Sequence, residues 1–269
     1  SEGVLKSAGA AIAAMAEVYE REEPPQQPVI GITTLGGSWC KYVWHAKPLL
    51  REKGYEVMIL HSNGVGGRVY EELVEQGLIS GALDLSLHEL ICGLFGTGFL
   101  DAGPARLETA GRKGIPQVVA PGVLTWFGWS GPLDTIPPRL KKRRIYQHNA
   151  LAAGIKASKN EMAAVGELMA EKLNKASGPT AVVIPKQGFE ELDRPGSIFY
   201  DPKGRRAFTG ALKAHIEPKV KVIELDAHIN DPEFTEEVIT IFDKMMALEQ
   251  CAPHSTRVLR QSKLLPKSV

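Results

Sequence analysis

Cysteine is scarce in this sequence. Its three cysteines, Cys40, Cys92 and Cys251, form no CxxC pair. An odd, sparse set is typical of a reducing compartment and not of a disulfide-stabilised scaffold. Long apolar runs are also lacking, since none approaches the roughly 20 residues that a membrane-spanning helix needs. We therefore expect a cytoplasmic protein that does not contact a membrane.

An excess of charge of either sign is lacking as well. The chain has 32 Lys and Arg against 31 Asp and Glu, which gives a formal net charge of +1. A dedicated nucleic-acid-binding domain usually carries a strongly basic surface, so no nucleic-acid partner is expected. The chain does have an ordinary globular composition, with 43% hydrophobic and 23% charged residues over 269 positions. This is enough for a sizeable core in one large domain or two small ones.

The N-terminal segment predicts a helix. Residues 4–22 are rich in alanine and lack the basic leading region of a signal peptide. Ala11, Ile12, Met15 and Val18 fall close to one helical face, so we expect docking on the domain or on a partner chain in a homo-oligomer. The expected organisation is a helix and linker at 1–27, an α/β domain at 28–248 and a flexible tail at 249–269.

β-branched runs and helical stretches alternate along the domain. Strands are predicted at residues 29–33, 56–60, 82–85, 117–120, 180–184 and 220–225. Helices are predicted at 38–52, 68–76, 104–113, 159–175 and 232–246, and Ser158 with Glu161 has the spacing of a capping box. This alternation predicts an α/β fold, a Rossmann-like parallel sheet with helices on both faces.

Two connections are too long to be plain turns. Residues 121–144 carry Trp126, Phe127 and Trp129, and the second connection spans residues 186–203. Loops of this length in a compact domain are usually lids or interface arms. The tryptophans either pack beneath their loop or at a subunit contact, or bind a ligand.

Histidines follow the predicted strands at one edge of the sheet. Four of the seven lie there, and the run 144–146, a further candidate strand, leads to one of them. Imidazole exchanges protons near neutral pH, so these groups and a nearby carboxylate are candidate catalytic residues. The candidates are His61, His88, His148, Asp226 and His228. A structural role for each, as a hydrogen-bonded group or a helix cap, is the alternative.

Asp226 and His228 are the strongest acid–base candidates. In an extended segment, residues two apart point the same way, so both side chains should face one side of the strand end. No HxH or HExxH spacing is present, so a metal would need ligands from distant strands, and no metal site is predicted.

Two glycine-containing turns are candidate anion sites. Each follows a predicted strand and precedes a helix, so backbone N–H groups and the positive end of a helix dipole would face a ligand. The candidate residues are Gly64, Gly66, Gly67 and Arg68 in one turn, and Thr33, Thr34, Gly36, Gly37 and Ser38 in the other. The GxGxxG pattern fails because Val69 stands at its third glycine. The alternative is that glycine serves only the backbone conformation of the turn.

Seven blocks of sequence occur in order over residues 28–246. They are GITTLGGSWCKY, YEVMILHSNGVGGRVYEELVEQG, DLSLHEL, DAGPARLETAGRKGIPQVVAPG, IYQHN, GFEELDRPGSIFYDP and ELDAHINDPEF. Together these blocks resemble the tomato mosaic virus resistance protein family. The resemblance implies two successive Rossmann-like subdomains, nucleotide binding with ATP as the candidate cofactor, and dimers. This chain is similar to the second subdomain only. The resemblance therefore implies a fragment, or one subunit of a split protein whose companion chain carries the first subdomain.

Three functional hypotheses follow. The first is a site for a small anionic ligand, a nucleotide or a carboxylate, at the carboxyl ends of the strands. The second is a hydrolase or lyase that uses the histidines and Asp226. The third is a module that binds another protein.

Overall fold

A six-stranded parallel sheet forms the centre of the chain. The computed structural model describes residues 2–17, 27–36 and 39–251. Its elements are α1 (Glu2–Glu17), β1 (Val29–Thr34), α2 (Tyr42–Glu52), β2 (Glu56–His61), α3 (Val65–Glu75), β3 (Gly81–Asp84), α4 (His88–Phe95), α5 (Thr109–Lys113), β4 (Gln117–Val119), β5 (Trp126–Ser130), α6 (Pro138–Lys141), β6 (Ile145–Asn149), β7 (Ala152–Lys156), α7 (Lys159–Leu173), β8 (Thr180–Pro185), α8 (Pro202–His215), β9 (Lys221–Leu225) and α9 (Pro232–Cys251). The strand order is β2-β1-β3-β4-β8-β9, and every pairing is parallel.

Helices cover both faces of the parallel sheet, as predicted. Successive residues of a central strand point to opposite faces. Val118 accordingly joins the buried cluster formed with α2 and α9, whereas Val119 joins the cluster formed with α4, α7 and α8. β1 and β8 bury every residue, which explains why the apolar residues of VIGI and AVVIP follow one another and do not alternate with polar ones.

The predicted strands are present with small shifts at their ends, whereas the helix predicted at 104–113 is shorter and begins only at Thr109 as α5. All six predicted strands form, and the capping box of α7 is confirmed by both hydrogen bonds between Ser158 and Glu161. α9 continues to Cys251, past the predicted domain boundary at 248, and residues 252–269 lie outside the described residues. In the described part of the chain, no helix is long and apolar enough to cross a bilayer.

The N-terminal helix α1 keeps its apolar side chains exposed. Val4, Leu5, Ile12 and Met15 are 65–74% exposed, so α1 does not bury this face on the domain. Docking on a partner chain stays a prediction. Val18 lies outside the described residues.

A second, antiparallel sheet begins within the long connection predicted at 121–144, which contains β5, and continues after it with β6 and β7. Its strand order is β5-β7-β6. The further strand expected at 144–146 is present as β6, but it pairs antiparallel with β7 and does not extend the parallel sheet. The inference that His148 follows a strand of the parallel sheet was therefore wrong, because His148 lies within β6 itself.

Arg106 joins three buried carboxylates beneath the carboxyl edge of the parallel sheet. Its side chain is 1% exposed. Nη2 donates to Asp84 Oδ1 at 2.7 Å, and Nη1 donates to the other oxygen of the same carboxylate. Nε donates to Glu89 Oε2 at 2.5 Å, and Nη1 also lies 3.4 Å from Glu71 Oε1. One cation thus links β3, α3 and α4.

The glycine-rich turn before α3 binds the carboxylate of Glu89. The backbone N–H groups of Gly64 and Gly67 donate to Glu89 Oε1 at 2.6 and 3.0 Å. A Cβ on Gly67 would overlap this carboxylate, and Gly64 has a φ of 90° that favours glycine. The turn does face an anion, but the anion is part of the chain.

Arg106→Gln leaves three buried carboxylates without their cation. The free energy of unfolding should fall by about 3–5 kcal/mol, because uncompensated buried charge is costly. Arg112→Gln is the matched control, since it removes an exposed pair with Glu75 and should cost less than about 1 kcal/mol. Urea unfolding of both variants measures the difference. Similar losses of unfolding free energy in the two variants would show that the buried Arg106 network stabilises the fold no more than an exposed ion pair does.

Candidate functional site

The strand order reverses between β1 and β3. β1 pairs with β2 on one side and with β3 on the other, which makes the crevice at their carboxyl ends the switch point of the sheet. Ligands of open α/β sheets commonly bind at such a point. The polar residues predicted at the end of β1 are partly committed to the fold: Thr33 Oγ1 donates to Asp84 Oδ1 at 2.7 Å, and Thr34 Oγ1 accepts from the N–H of Gly36 at 3.2 Å. Gly37 and Ser38 lie outside the described residues.

A cavity of about 380 Å³ lies between this edge and the antiparallel sheet. Turns after β1 and β2, the segment after α4, and strands β5, β6 and β7 all contribute to it. The described lining residues are Leu35, Trp39, His61, Asn63, Thr97, Phe99, Leu100, Trp126, Gly128, Trp129, Ser130, Tyr146, His148, Asn149, Ala152, Ala153 and Gly154.

Aromatic rings form much of the wall. The ring centroids of Trp39 and Trp126 are 5.5 Å apart, and Tyr146 meets Trp39 edge to face at 5.5 Å. Trp126 also lies against Phe199 and His88 on its buried side. Trp126 therefore packs in the core, which was one of the predicted alternatives, and also lines the cavity. Ligand binding by the loop tryptophans stays a prediction.

Two predicted histidines, His61 and His148, line the same cavity. His61 ends β2, and Asn63 Nδ2 lies 3.4 Å from its Nδ1. An amide nitrogen donates, so the proton of a neutral His61 is on Nε2. His148 comes from the antiparallel sheet, so the structure brings the two rings to one cavity from different sheets.

His88 is a buried group beneath the cavity wall. Its Nδ1 donates to the carbonyl oxygen of Val123 at 2.9 Å, and its Nε2 faces the thiol of Cys92 at 3.2 Å. Burial lowers the pKa of His88 to about 4 and raises the pKa of Cys92 to about 12. Both groups are therefore neutral at pH 7, and the thiol donates to the ring. His88 is not among the residues that line the cavity.

The expected pair of Asp226 and His228 does not form. The chain bends directly after Leu225, so the two-residue alternation of a strand ends there. Asp226 is exposed and accepts from Gln187 at 2.7 Å. His228 is buried, accepts from the N–H of Asn230 at Nδ1 (3.1 Å) and donates from Nε2 to the carbonyl of Glu190 at 2.8 Å.

The turn after β2 does not present its backbone N–H groups to an external anion, contrary to the prediction. Gly64 and Gly67 bind Glu89, and a Cβ on Gly66 would overlap the backbone of His61. Arg68 donates to the carbonyl of Asp101 at 3.0 Å. These four residues are therefore engaged with other parts of the chain. In the described part of the chain, no group of three or more His, Cys, Asp or Glu is placed to hold a metal.

Glu190 is a buried acid that supports Trp126. Trp126 Nε1 donates to Glu190 Oε2 at 2.7 Å, and the hydroxyl of Thr125 hydrogen-bonds the other oxygen. Burial raises the pKa of Glu190 to about 8. Its neighbour Glu191 is partly exposed and pairs with Lys41, and nothing in the local sequence distinguishes the two glutamates.

Glu190 links stability to pH. Its ordinary pKa is 4.5, so between pH 4.5 and about 8 the folded chain holds a proton that the unfolded chain releases. The contribution of Glu190 to the free energy of unfolding therefore falls as pH rises through this window. Burial lowers the pKa of His88 and His228 to about 4. Their contribution has the opposite sign, because it lowers the free energy of unfolding as pH falls from 6.5 to 4.

Glu190→Gln should remove the decline toward pH 8. Glutamine resembles the neutral acid, so it can keep the bonds to Trp126 and Thr125. We expect the variant to exceed the parent by roughly 2–4 kcal/mol at pH 8 and to match it near pH 5. Urea unfolding across this range measures the difference between variant and parent, in which the contributions of His88 and His228 cancel, and Glu191→Gln serves as the control that keeps the pH dependence of the parent. A difference between Glu190→Gln and the parent that is the same at pH 5 and pH 8 contradicts the assignment.

Comparison with known proteins identifies relatives over most of the chain. Residues 27–246 match the family model described as the uncharacterised protein family (UPF0261) C-terminal domain. A UPF0261 protein of Clostridium tetani is 39% identical over 235 residues, 87% of this chain and 57% of the relative. The ToMV resistance protein Tm-1(GCR237) of Solanum lycopersicum is 35% identical over 251 residues, 90% of this chain and 33% of the relative.

The chain spans less than two thirds of the length of these relatives. Among solved structures, a thioesterase domain from the curacin biosynthetic pathway covers 81% of this chain and 93% of its own at 10% identity, with a TM-score of 0.38. Similarity at that level supports no inference about function. The resemblance to the tomato mosaic virus resistance protein family is confirmed by the sequence matches. The chain belongs to the uncharacterised protein family UPF0261, whose C-terminal domain it contains.

Proposed function

We propose that this domain binds a small organic anion in the cavity at the switch point of the parallel sheet. The observation that carries the proposal is the convergence of Trp39, Trp126 and Tyr146 with His61 and His148 on one cavity of about 380 Å³. Pockets for small molecules typically have this size, a mostly apolar wall and a few polar groups that set orientation.

The cavity wall is held in place by the fold. Trp126 is fixed by its bond to Glu190 and by its contacts with Phe199 and His88. A wall of this kind loses little side-chain freedom when a ligand binds, which favours affinity. The polar groups come from His61 and His148, whereas the glycine turn before α3 is engaged with Glu89.

ATP, which the family resemblance implies, fits these residues only in part. The base of a nucleotide can stack on the aromatic wall. Its triphosphate carries several negative charges, and among the described lining residues none is Lys or Arg. The described cavity therefore fits a base and does not fit a triphosphate.

The hydrolase or lyase hypothesis receives less support from the geometry. His88 and His228 each engage both ring nitrogens within the fold, and burial keeps both rings neutral at pH 7. Only His61 and His148 of the predicted histidines face the cavity. Binding without turnover is therefore the function that the arrangement favours.

Tryptophan fluorescence tests the site directly. Trp39, Trp126 and Trp129 line the cavity, and Trp44 is 69% exposed on α2, so a Trp44→Phe background confines most of the signal to the cavity. A panel of nucleosides, nucleotides and aromatic carboxylates should include compounds that change this fluorescence saturably.

Filling the cavity should abolish that response. Ala152→Phe places a ring in the cavity from β7, and Ala164→Phe makes the same change in a surface groove between α7 and α8. We expect the first variant to lose binding and the second to keep it. A panel without a binder, or a ligand that binds equally to both variants, would contradict the proposed function.

A further inference from the structure

The charge of the cavity wall limits its ligand. The described lining residues include no Lys, Arg, Asp or Glu. Lysines beside the aromatic wall are already paired: Lys41 contacts Glu191 at 3.0 Å, and Lys156 contacts Asp201 at 2.8 Å. A ligand with several negative charges would lose its hydration without gaining a cation, which is strongly unfavourable. A single negative charge needs only hydrogen-bond donors.

The shape of the wall favours a flat ring. Gly154 lies opposite Gly128 in the antiparallel sheet, and opposite Tyr146 on its other side. A Cβ on Gly154 would come within 2.7 Å of Trp126, so the missing side chain lets the indole lie against the sheet. The wall therefore consists of ring faces and edges beside a side-chain-poor strand pair. Planar aromatic compounds make offset-stacked and edge-to-face contacts with such rings.

The polar residues of the cavity present N–H groups. The Nε2–H of His61 lies beside the turn at Gly36, since its Nδ1 accepts from Asn63. Asn149 Oδ1 accepts from the backbone N–H of Leu151 at 2.8 Å. The amide nitrogen, Nδ2, is therefore the atom of this side chain that can donate to a ligand. With the ring of His148, these groups suit an oxygen acceptor such as a carboxylate.

We propose that the ligand is a planar aromatic carboxylate, with its ring on Trp39, Trp126 and Tyr146 and its carboxylate at His61 and His148. This inference rests on the proposed small-molecule site and names the class of its ligand. It differs from the nucleotide triphosphate that the family resemblance implies, because the described part of the wall offers rings and N–H donors and no fixed positive charge.

Calorimetric titration of the whole chain with three probes tests the proposal. The probes are indole-3-carboxylate, its neutral carboxamide and ATP. Indole-3-carboxylate should bind about tenfold or more tightly than ATP, whose charges stay uncompensated. It should also bind about tenfold more tightly than the carboxamide, because the bonds to a charged oxygen are stronger.

The double variant His61→Leu/His148→Leu separates the two parts of the site, because leucine keeps side-chain volume but has no N–H donor. It should reduce the preference for carboxylate over carboxamide to about twofold or less, while the carboxamide still binds, because the aromatic wall is intact. His45→Leu, at an exposed histidine of α2 outside the cavity, should keep the parent preference.

Two results would overturn the inference and leave the proposed function in place. One is ATP binding as tight as that of indole-3-carboxylate and lost in Ala152→Phe. The other is a carboxylate preference that persists in the double histidine variant. Failure of all three probes and of the wider panel would remove the proposed function together with the inference.

Discussion

The guanidinium of Arg106 is the contact on which the geometry of the sheet edge depends. Two of its carboxylate partners also accept backbone N–H groups: Glu89 those of Gly64 and Gly67, and Glu71 those of Leu107 and Thr109. One buried cation thus holds the end of β3, the start of α3 and the start of α5 in one arrangement. The end of β2 and the turn after it, which place His61 and Asn63 at the cavity, lead directly into this assembly.

The cavity arises from two separate features of topology. The reversal of strand order opens a crevice between β1 and β3, and the antiparallel sheet inserted between β4 and α7 supplies the opposite wall. Glu190, from the segment after β8, joins the two by holding Trp126 at the start of the insertion. The crevice alone would be open to solvent, and the inserted sheet gives it apolar sides.

The sequence predicts the parallel sheet well because its central strands are buried on both faces and appear as short β-branched runs. It also identifies the turn at Gly64–Gly67, since a positive φ and a close approach both require glycine. It does not reveal the anion bound there, because Glu89 lies 22 residues after Gly67 and pairs with Arg106 a further 17 residues on. Contacts of that range depend on the folded chain and leave no local pattern. The same limit applies to His88 and His228, whose burial is decided by neighbours from other elements, and to His148, whose sheet is antiparallel.

The two faces of the antiparallel sheet contact different parts of the molecule. Phe127 and Ile155 point into the hydrophobic core, whereas Trp126, Gly128, Gly154 and Tyr146 on the alternate positions form the cavity side. Since neighbouring positions of a strand belong to different faces, substitutions at every second residue can reshape the cavity while the core residues between them stay the same. The lining of the cavity and the packing of the core can therefore be changed separately within residues 126–156, so a cavity of different shape can be built on the same scaffold.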